Sequence, residues 1–359
     1  MNTVAVQEKK VNADEKGEEK KVKCVVWDLD NTIWDGVLLE DENVVLRDGV
    51  VDIIKELDQR GMLQSIASKN EYDLAMGKLK EMGLDEYFLY PQINWNSKST
   101  SIKTIAQSIN IGIDSLAFID DQSFELEEVA FTHKDVLCLR AQELEKILNL
   151  PQMNPKFITE DSKIRRLMYQ SDIERKKIEE NYEGPQEEFL STLNMVFTIS
   201  PVGDGDLQRA EELTVRTHQL NTTGYTYSYE DLDAFRKSEK HKLLISSLDD
   251  KYGTYGKIGL CLVECESEFW VLKLLLMSCR VMSRGVGTVM LNHIMSLAKK
   301  EGKRLRAEFV SNDRNRMMYV TFKFAGFKEI DQVGDMVILE NDLEHVQAFP
   351  EYLEVRIIE

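Results

Sequence analysis

Two short apolar segments each end directly at a pair of acidic residues, and this repeated pattern constrains the fold most. The first segment, KCVVW, precedes Asp28 and Asp30, and the second, SLAFI, precedes Asp120 and Asp121. Apolar runs rich in β-branched residues are typical of strands buried in a parallel sheet. Because such strands share one carboxyl edge, we expect the four carboxylates to converge there on one cation.

Strand-like and helix-like segments alternate through the first part of the chain, which predicts an α/β domain with a parallel sheet. Predicted strands cover 62–67 and 116–119, and a predicted helix covers 98–109. Ser68 follows the first of these strands and Lys98 begins the helix. Since ligands bind outside the carboxyl ends of parallel strands, Ser68 and Lys98 are expected beside the acids.

The chain has 359 residues, which favours two domains over one. Three antiparallel strand patterns, over 242–248, 258–264 and 268–276, and a long helix pattern over 287–302 predict a second domain of α+β type. The predicted segments are a disordered charged leader over 1–21, the α/β domain over 22–150, a helical connector over 151–192 and the α+β domain over 193–359.

Composition excludes several classes of protein. The net charge of −18 argues against nucleic-acid binding, which requires a basic face. No apolar run approaches the roughly 20 residues that span a bilayer, and the N-terminal segment lacks the apolar core of a signal peptide. The five cysteines have unrelated spacings, so neither a disulfide framework nor a CxxC metal site is expected. A reducing cytoplasm is the predicted compartment.

The groups at the predicted sheet edge are those that phosphate chemistry requires. A carboxylate nucleophile beside an acid that protonates the leaving oxygen fits Asp28 and Asp30. A hydroxyl and a cation that hold phosphoryl oxygens fit Ser68 and Lys98. An acid pair completing a magnesium shell of oxygen ligands fits Asp120 and Asp121, because Mg²⁺ prefers oxygen ligands.

Together these residues resemble the haloacid dehalogenase (HAD) superfamily of phosphotransferases. The resemblance implies Asp28 as nucleophile and Asp30 as general acid and base. It implies phosphate binding by Ser68 and Lys98, with Thr32 of the DLDNT segment beside them. The predicted metal ligands are the acids of the two pairs, namely Asp28, Asp30, Asp120 and Asp121.

The spacing of the motifs leaves no room for a large cap domain. Asp28 and Ser68 are only about 40 residues apart and Ser68 and Lys98 only about 30, so we expect nothing larger than a flap around 34–47. A site without a cap stays open to solvent. This favours a phosphate displayed on a macromolecule over a free metabolite, which needs closure to exclude water.

The second domain contains a cysteine between an apolar segment and a glycine turn, in LLLMSCRVMSRGVG. Cys279 stands beside Arg280 and close to Arg284, ahead of a predicted helix over 287–302. Helix N-termini and arginines stabilise thiolates, which makes Cys279 a candidate nucleophile. The alternative is a buried and inert cysteine at a strand end.

The order of strand, glycine turn and helix resembles the GCN5-related acetyltransferase (GNAT) fold. In that fold the pyrophosphate of acyl-CoA lies on an R/Q-x-x-G-x-G/A loop. Aligned on Arg284, the fourth position is Gly287 but the sixth is Val289. This departure argues against CoA and leaves open another phosphorylated donor.

The sequence of both halves resembles the FkbH-like family, in which a HAD domain is fused to an acyltransferase-like domain. The resemblance implies a glyceryl transferase/phosphatase. Such an enzyme takes the 3-phosphoglyceryl group of 1,3-bisphosphoglycerate onto a cysteine as a thioester, removes the 3-phosphate and loads an acyl carrier protein through its phosphopantetheine, for polyketide or related biosynthesis. In this reaction Arg280 and Arg284 are expected to hold the leaving phosphate. The matching stretches are WDLDNTIWDGVLLED, INWNSKS, FIDDQSFELEEV, RTHQLNTT and MSCRVMSRGVG.

The RTHQLNTT segment supplies two further candidates for substrate contact, Arg216 and Asn221. It follows a predicted helix and is rich in hydrogen-bonding groups. A polar end of an amphipathic helix is the alternative interpretation. The role of His218, in the same segment, stays open.

Two other hypotheses compete with a glyceryl transferase/phosphatase. One is a HAD phosphatase whose second domain only recruits a partner, and the other is an N-acetyltransferase that uses acetyl-CoA. The arginines around Cys279 argue against the first, and Val289 argues against the second.

Overall fold

The computed structural model describes residues 22–359. These residues form two compact units, 22–173 and 174–359. The predicted leader over 1–21 lies outside the described residues. The unit boundary falls inside the predicted connector, within a helix over Arg165–Glu180.

The first unit contains a sheet with short helices between its strands. The strands of this unit are β1 (Cys24–Trp27), β2 (Trp34–Asp35), β3 (Val45–Leu46), β4 (Leu63–Ser68), β5 (Gln92–Ile93), β6 (Leu116–Asp120) and β7 (Leu137–Arg140). Its helices are α1 (Val50–Gln59), α2 (Tyr72–Glu81), α3 (Lys98–Ile109), α4 (Ser123–Thr132), α5 (Leu144–Ile147), α6 (Glu160–Lys163) and α7 (Arg165–Glu180), the last of which continues into the second unit.

The main sheet has the order β5-β4-β1-β6-β7, and all its strands are parallel. β1 is central and fully buried because both of its faces are covered. Val25 and Trp27 pack into the core that includes residues of α1, while Cys24 and Val26 pack into the core that includes residues of α3. Two covered faces explain why the β1 sequence is a continuous apolar run rather than an alternating one.

The connections at the carboxyl edge are short. Between β1 and β4 the chain forms only the β2–β3 hairpin and α1, and between β4 and β5 the main element is α2. Within this described range there is no cap domain, as the motif spacing predicted. The expected α/β class with a parallel sheet is confirmed.

The second unit is a mixed sheet with helices. Its strands are β8 (Met195–Pro201), β9 (His241–Asp250), β10 (Gly253–Cys265), β11 (Phe269–Met277), β12 (Arg304–Val310), β13 (Lys328–Val333), β14 (Met336–Asn341) and β15 (Leu353–Ile357). Its complete helices are α8 (Gln186–Thr192), α9 (Leu207–Arg216), α10 (Tyr229–Lys237), α11 (Val286–Lys300) and α12 (Arg316–Phe324).

The strand order in this sheet is β13-β14-β12-β11-β10-β9-β8-β15. The predicted antiparallel arrangement of the three strands β9, β10 and β11 is confirmed, as is the α+β class. The edge strands β13 and β15 were not predicted. β13 lacks the apolar pattern of a strand because all six of its residues are exposed and mostly polar.

A segment from elsewhere in the chain fills the gap where β11 and β12 separate. These parallel strands pair only over Phe269–Leu272 and Arg304–Ala307. Beyond that point Leu275 N donates to Thr222 Oγ1 at 3.0 Å, and Val310 N donates to the Thr222 carbonyl oxygen at 3.0 Å. The buried Thr222 therefore replaces the missing strand contacts on both sides.

In residues 22–359, every helix is too short or too polar to cross a bilayer.

A buried ion pair holds the start of β10 in the second unit. Arg175 Nε lies 2.7 Å from Asp250 Oδ2, and the two side chains are 1% and 0% exposed. The guanidinium of Arg175 also donates to the Gly253 carbonyl oxygen at 2.9 Å and lies 3.8 Å from the centre of the Tyr255 ring. Removing one partner from such a pair leaves the other charge buried without its counter-ion.

We predict that Arg175→Met lowers the free energy of unfolding by about 3–5 kcal/mol, because Asp250 then stays buried without its cation. Urea denaturation followed by near-UV circular dichroism measures this loss. The matched control is Arg356→Met, which removes the exposed pair with Glu354 and should cost less than about 1 kcal/mol. Equal losses in the two variants would contradict the prediction.

Candidate functional site

The parallel strands bring three acids together at the carboxyl edge of the first unit. β1 and β6 are neighbours in register, with Trp27 opposite Ile119, so Asp28 and Asp120 follow side by side. One carboxylate oxygen from each of Asp28, Asp120 and Asp121 lies within 4.8 Å of the others. The structure thus places these three predicted residues in one cluster.

Lys98 supplies the positive charge of this cluster. Its Nζ donates to Asp28 Oδ1 at 2.5 Å and to the Ala67 carbonyl oxygen at 2.8 Å, and lies 3.1 Å from Asp120 Oδ2. Lys98 is the first residue of α3, whose N-cap Ser97 accepts from Thr100 N. Because the cap fixes where the helix begins, it also fixes the origin of the lysine side chain.

Burial and charge alter the acidity of these groups. Burial raises the pKa of Asp120, and the charge of Asp28 adds to this effect, so that the value reaches about 7. Burial is also the main cause of the raised pKa of Asp121. Burial alone would lower the pKa of Lys98, but the charges of Asp28 and Asp120 outweigh it and raise the value. The ammonium therefore remains protonated beside the acids.

The acid cluster has the properties of a magnesium site. Among residues 22–359, Asp120 Oδ2 and Asp121 Oδ1 are buried oxygens without a hydrogen-bond donor, although Asp120 Oδ2 lies within ion-pair distance of Lys98. Buried oxygens of this kind require a partner, and hard carboxylate oxygens suit Mg²⁺. The residues that would hold the ion are Asp28, Asp120 and Asp121.

Asp30, the fourth predicted metal ligand, has its carboxylate outside this cluster. Its Oδ1 accepts hydrogen bonds from Trp34 Nε1 at 2.8 Å and from Leu38 N at 3.1 Å, and its Oδ2 accepts from Asn70 Nδ2 at 3.1 Å. Both oxygens thus accept hydrogen bonds from protein donors, and a metal-ligand role for this carboxylate stays a prediction. Burial raises the pKa of Asp30, as suits a proton donor.

Of the two predicted hydroxyl groups, one ends a strand and the other lies in the turn between β1 and β2. Ser68 is the last residue of β4 and is 3% exposed. Thr32 is fully buried, and its Oγ1 has no hydrogen-bond partner within the described residues. A buried hydroxyl without a partner is consistent with ligand binding, and phosphate binding stays a prediction for both residues.

Sequence reasoning missed two side chains of this site, Trp34 and Asn70. Both are buried, and both donate hydrogen bonds to Asp30. Asn70 stands two residues after Ser68, at the end of the same strand, and this position could have identified it. No sequence signal distinguishes Trp34, because its contact depends on the shape of the β2–β3 hairpin.

Cys279 occupies a different environment from the other cysteines. It is exposed and begins a 3₁₀ turn over Cys279–Arg284 that leads into α11. Cys24 and Cys261 are fully buried, and burial raises the pKa of each thiol. Ser278 N donates to the Ile258 carbonyl oxygen at 2.7 Å, which fixes the backbone just before Cys279. Cys138 and Cys265 are partly buried, so Cys279 is the most exposed of the five cysteines.

The two arginines near Cys279 differ in burial and in their contacts. Arg280 is half-buried, next to Cys279. Arg284 is 5% exposed, and its Nη2 donates to Glu179 Oε2 at 3.1 Å. A buried arginine already paired with a carboxylate is a poor holder of a substrate phosphate. Anion binding by Arg284 stays a prediction.

The candidates from the RTHQLNTT segment also differ in accessibility. Arg216 ends α9 with a side chain 35% exposed and pairs with the buried Glu212 at 3.2 Å. Asn221 is fully buried, and its Oδ1 accepts from Thr223 N and Gly224 N. Asn221 therefore fixes the backbone of the segment that fills the gap beside β11. Substrate contact by either residue stays a prediction.

No known protein-family model matches the sequence. No curated protein matches it either.

Parts of the chain are similar to solved structures. The N-terminal, phosphatase-domain part of protein BF1531 from Bacteroides fragilis, complexed with Mg, shares 30% identity over 38% of this chain and 40% of its own, with a TM-score of 0.34. The chain thus spans about two fifths of that structure. The GNAT domain of PAT from S. lividans shares 19% identity over 40% of this chain and 88% of its own, with a TM-score of 0.32. A 3-deoxy-D-manno-octulosonate 8-phosphate phosphatase from Moraxella catarrhalis shares 19% identity over 31% and 63%, with a TM-score of 0.26.

Proposed function

We propose that this protein is a glyceryl transferase/phosphatase with one active site in each unit. The observation that carries the phosphatase half is the cluster of Asp28, Asp120 and Asp121 around the buried ammonium of Lys98. The transferase half is supported by the exposed position of Cys279 at the turn before α11.

In the phosphatase half, Asp28 attacks the phosphorus atom of a phosphate ester and the bond to the ester oxygen breaks. Asp30 gives its proton to that oxygen, so the alcohol leaves neutral. Water then attacks the aspartyl phosphate, Asp30 takes its proton, and inorganic phosphate leaves with Asp28 restored. Lys98 neutralises the phosphoryl oxygens. Bound Mg²⁺ would add further neutralisation of the charge on the phosphoryl group.

The open carboxyl edge supports a substrate carried by a macromolecule. The hairpin β2–β3 is the largest extra element between β1 and α1, and it leaves the acids without a cap. A free metabolite would need a lid to exclude water, whereas a carrier covers the site with its own surface. We therefore propose a phosphate displayed on a thioester-linked acyl group.

In the transferase half, the Cys279 thiolate attacks the acyl carbon of 1,3-bisphosphoglycerate. The bond to the acyl phosphate breaks, phosphate leaves, and a 3-phosphoglyceryl thioester remains on sulfur. The 3-phosphate is removed at the Asp28 site. The phosphopantetheine thiol of an acyl carrier protein then attacks the thioester, which releases the Cys279 thiol and loads the glyceryl unit. All five cysteines are free, which favours a reducing cytoplasm.

We predict that the protein hydrolyses p-nitrophenyl phosphate with Mg²⁺ and loses this activity in excess EDTA. Asp28→Asn should lower the rate at least about 10³-fold, because the nucleophile is gone. The matched control is Asp114→Asn. Asp114 is exposed and lies just before β6, at the amino end of that strand, so this variant should keep the wild-type rate. Persistent activity of Asp28→Asn would refute the assignment of the nucleophile.

We further predict a covalent glyceryl adduct after 1,3-bisphosphoglycerate and magnesium are added, detected by mass spectrometry of the intact protein. Cys279→Ala should form none. Asp28→Asn should form an adduct that keeps its phosphate, because only dephosphorylation is blocked.

The matched control for this experiment is Cys265→Ala, a partly exposed cysteine on β10. It should form the wild-type adduct. Normal loading of a carrier protein by Cys279→Ala would overturn the covalent relay. Acetylation of amines from acetyl-CoA would instead support the acetyltransferase hypothesis.

A further inference from the structure

The two carboxylate oxygens of Asp30 have different surroundings. Oδ1 accepts two N–H groups, from the indole of Trp34 at 2.8 Å and from the backbone of Leu38 at 3.1 Å. Oδ2 accepts one, from Asn70 at 3.1 Å. Trp34 is fully buried and Asn70 is 1% exposed, so neither donor has freedom to move away.

This asymmetry determines which oxygen can transfer a proton. A carboxyl oxygen that already accepts two N–H groups has both lone-pair directions occupied. A proton placed there would point towards another donor, whereas Oδ2 has a direction to spare. Proton transfer to a leaving group requires one defined oxygen in one defined orientation.

We propose that Trp34 is a positioning residue that fixes the rotation of the Asp30 carboxyl group and leaves Oδ2 as its proton-transferring oxygen. The proposal rests on the phosphatase half of the proposed function. It adds a role for an indole group that does not take part in the chemistry itself.

The hairpin that carries Trp34 is held firmly at its base. Asn31 has a left-handed backbone, with φ of 52°, and its Oδ1 accepts from Gly36 N at 3.0 Å. Arg47, beyond the second strand of the hairpin, donates to the Asn31 carbonyl oxygen at 2.8 Å. Trp34 N also donates to the Leu29 carbonyl oxygen at 3.3 Å. These bonds connect the indole to the loop that bears Asp28 and Asp30, so a fixed distance to Asp30 is maintained.

The test compares two phosphate esters whose leaving groups differ in basicity. p-Nitrophenolate leaves without a proton, whereas the alkoxide of glycerol 3-phosphate requires one. The first step, phosphoryl transfer to Asp28, is measured by rapid-quench release of each leaving group in a single turnover. This step is chosen because hydrolysis of the aspartyl phosphate is common to both esters and would hide the difference.

Trp34→Phe keeps the aromatic ring and removes the N–H donor. We expect it to slow the first step at least about tenfold with glycerol 3-phosphate, a part of the usual contribution of a general acid. With p-nitrophenyl phosphate the rate should change by less than about twofold, since this leaving group requires no general acid.

The matched control is Trp27→Phe. Trp27 is also fully buried in this core, and its indole donates to Gln64 Oε1 at 3.1 Å rather than to Asp30. Trp27→Phe loses the same kind of N–H donor, and it should slow the first step with both esters to the same extent. If Trp34→Phe does not fold, 3-benzothienylalanine at position 34 keeps the ring shape without the donor.

Equal rate loss for both esters in the Trp34 variant, or no loss with glycerol 3-phosphate, would overturn the proposal. The same selective loss in Trp27→Phe would overturn it as well. Wild-type protein that hydrolyses neither ester with Mg²⁺ would instead remove the phosphatase function on which the proposal rests. The two failures are thus distinguishable.

Discussion

The structure of the acid cluster in the first unit depends on one interaction, the contact of the Lys98 ammonium with Asp28 and Asp120. Three carboxylates within 4.8 Å repel one another, and two unit charges 4 Å apart interact by about 4 kcal/mol near a protein surface. Parallel strands impose this proximity because their ends lie side by side. A buried cation from the first turn of α3 offsets the repulsion. Under the proposed function the same ammonium also neutralises the bound phosphate, so folding and substrate binding would depend on one charge.

The residues at the carboxyl edge of the first unit could be predicted because a short local sequence pattern places each of them at the end of a strand. An apolar run ends, an acid follows, and a parallel sheet collects such ends at one edge. The helix over Lys98–Ile109 matches its predicted bounds, since Ser97 provides a recognisable cap. The surroundings of Asp30 could not be predicted in this way. They depend on a hairpin whose fold brings Trp34 and Leu38 back to the start of the loop.

The second unit shows the limit of local pattern more clearly. Arg284 looks like an anion-binding residue beside Cys279, yet its guanidinium pairs with Glu179, 105 residues earlier in the chain. Asn221 looks like a substrate contact, yet its Oδ1 accepts hydrogen bonds from the backbone N–H groups of Thr223 and Gly224. Polar side chains in both places are consistent with either role, and the sequence pattern alone does not decide between them. The exposed position of Cys279 is compatible with a nucleophile, and that role stays a prediction.

The segment that fills the gap between β11 and β12 also has a consequence for how the second unit folds. Thr222 must reach Leu275, 53 residues later, and Asn221 must receive Asn315, 94 residues later, before the sheet is closed. Contacts so distant in sequence are slow to form, because loop closure costs entropy before any hydrogen bond compensates. Neighbouring hairpins such as β9–β10 can form early. The junction with β12 forms only when the distant segment that contains Asn221 and Thr222 docks between the strands. We therefore expect this junction to form late in folding.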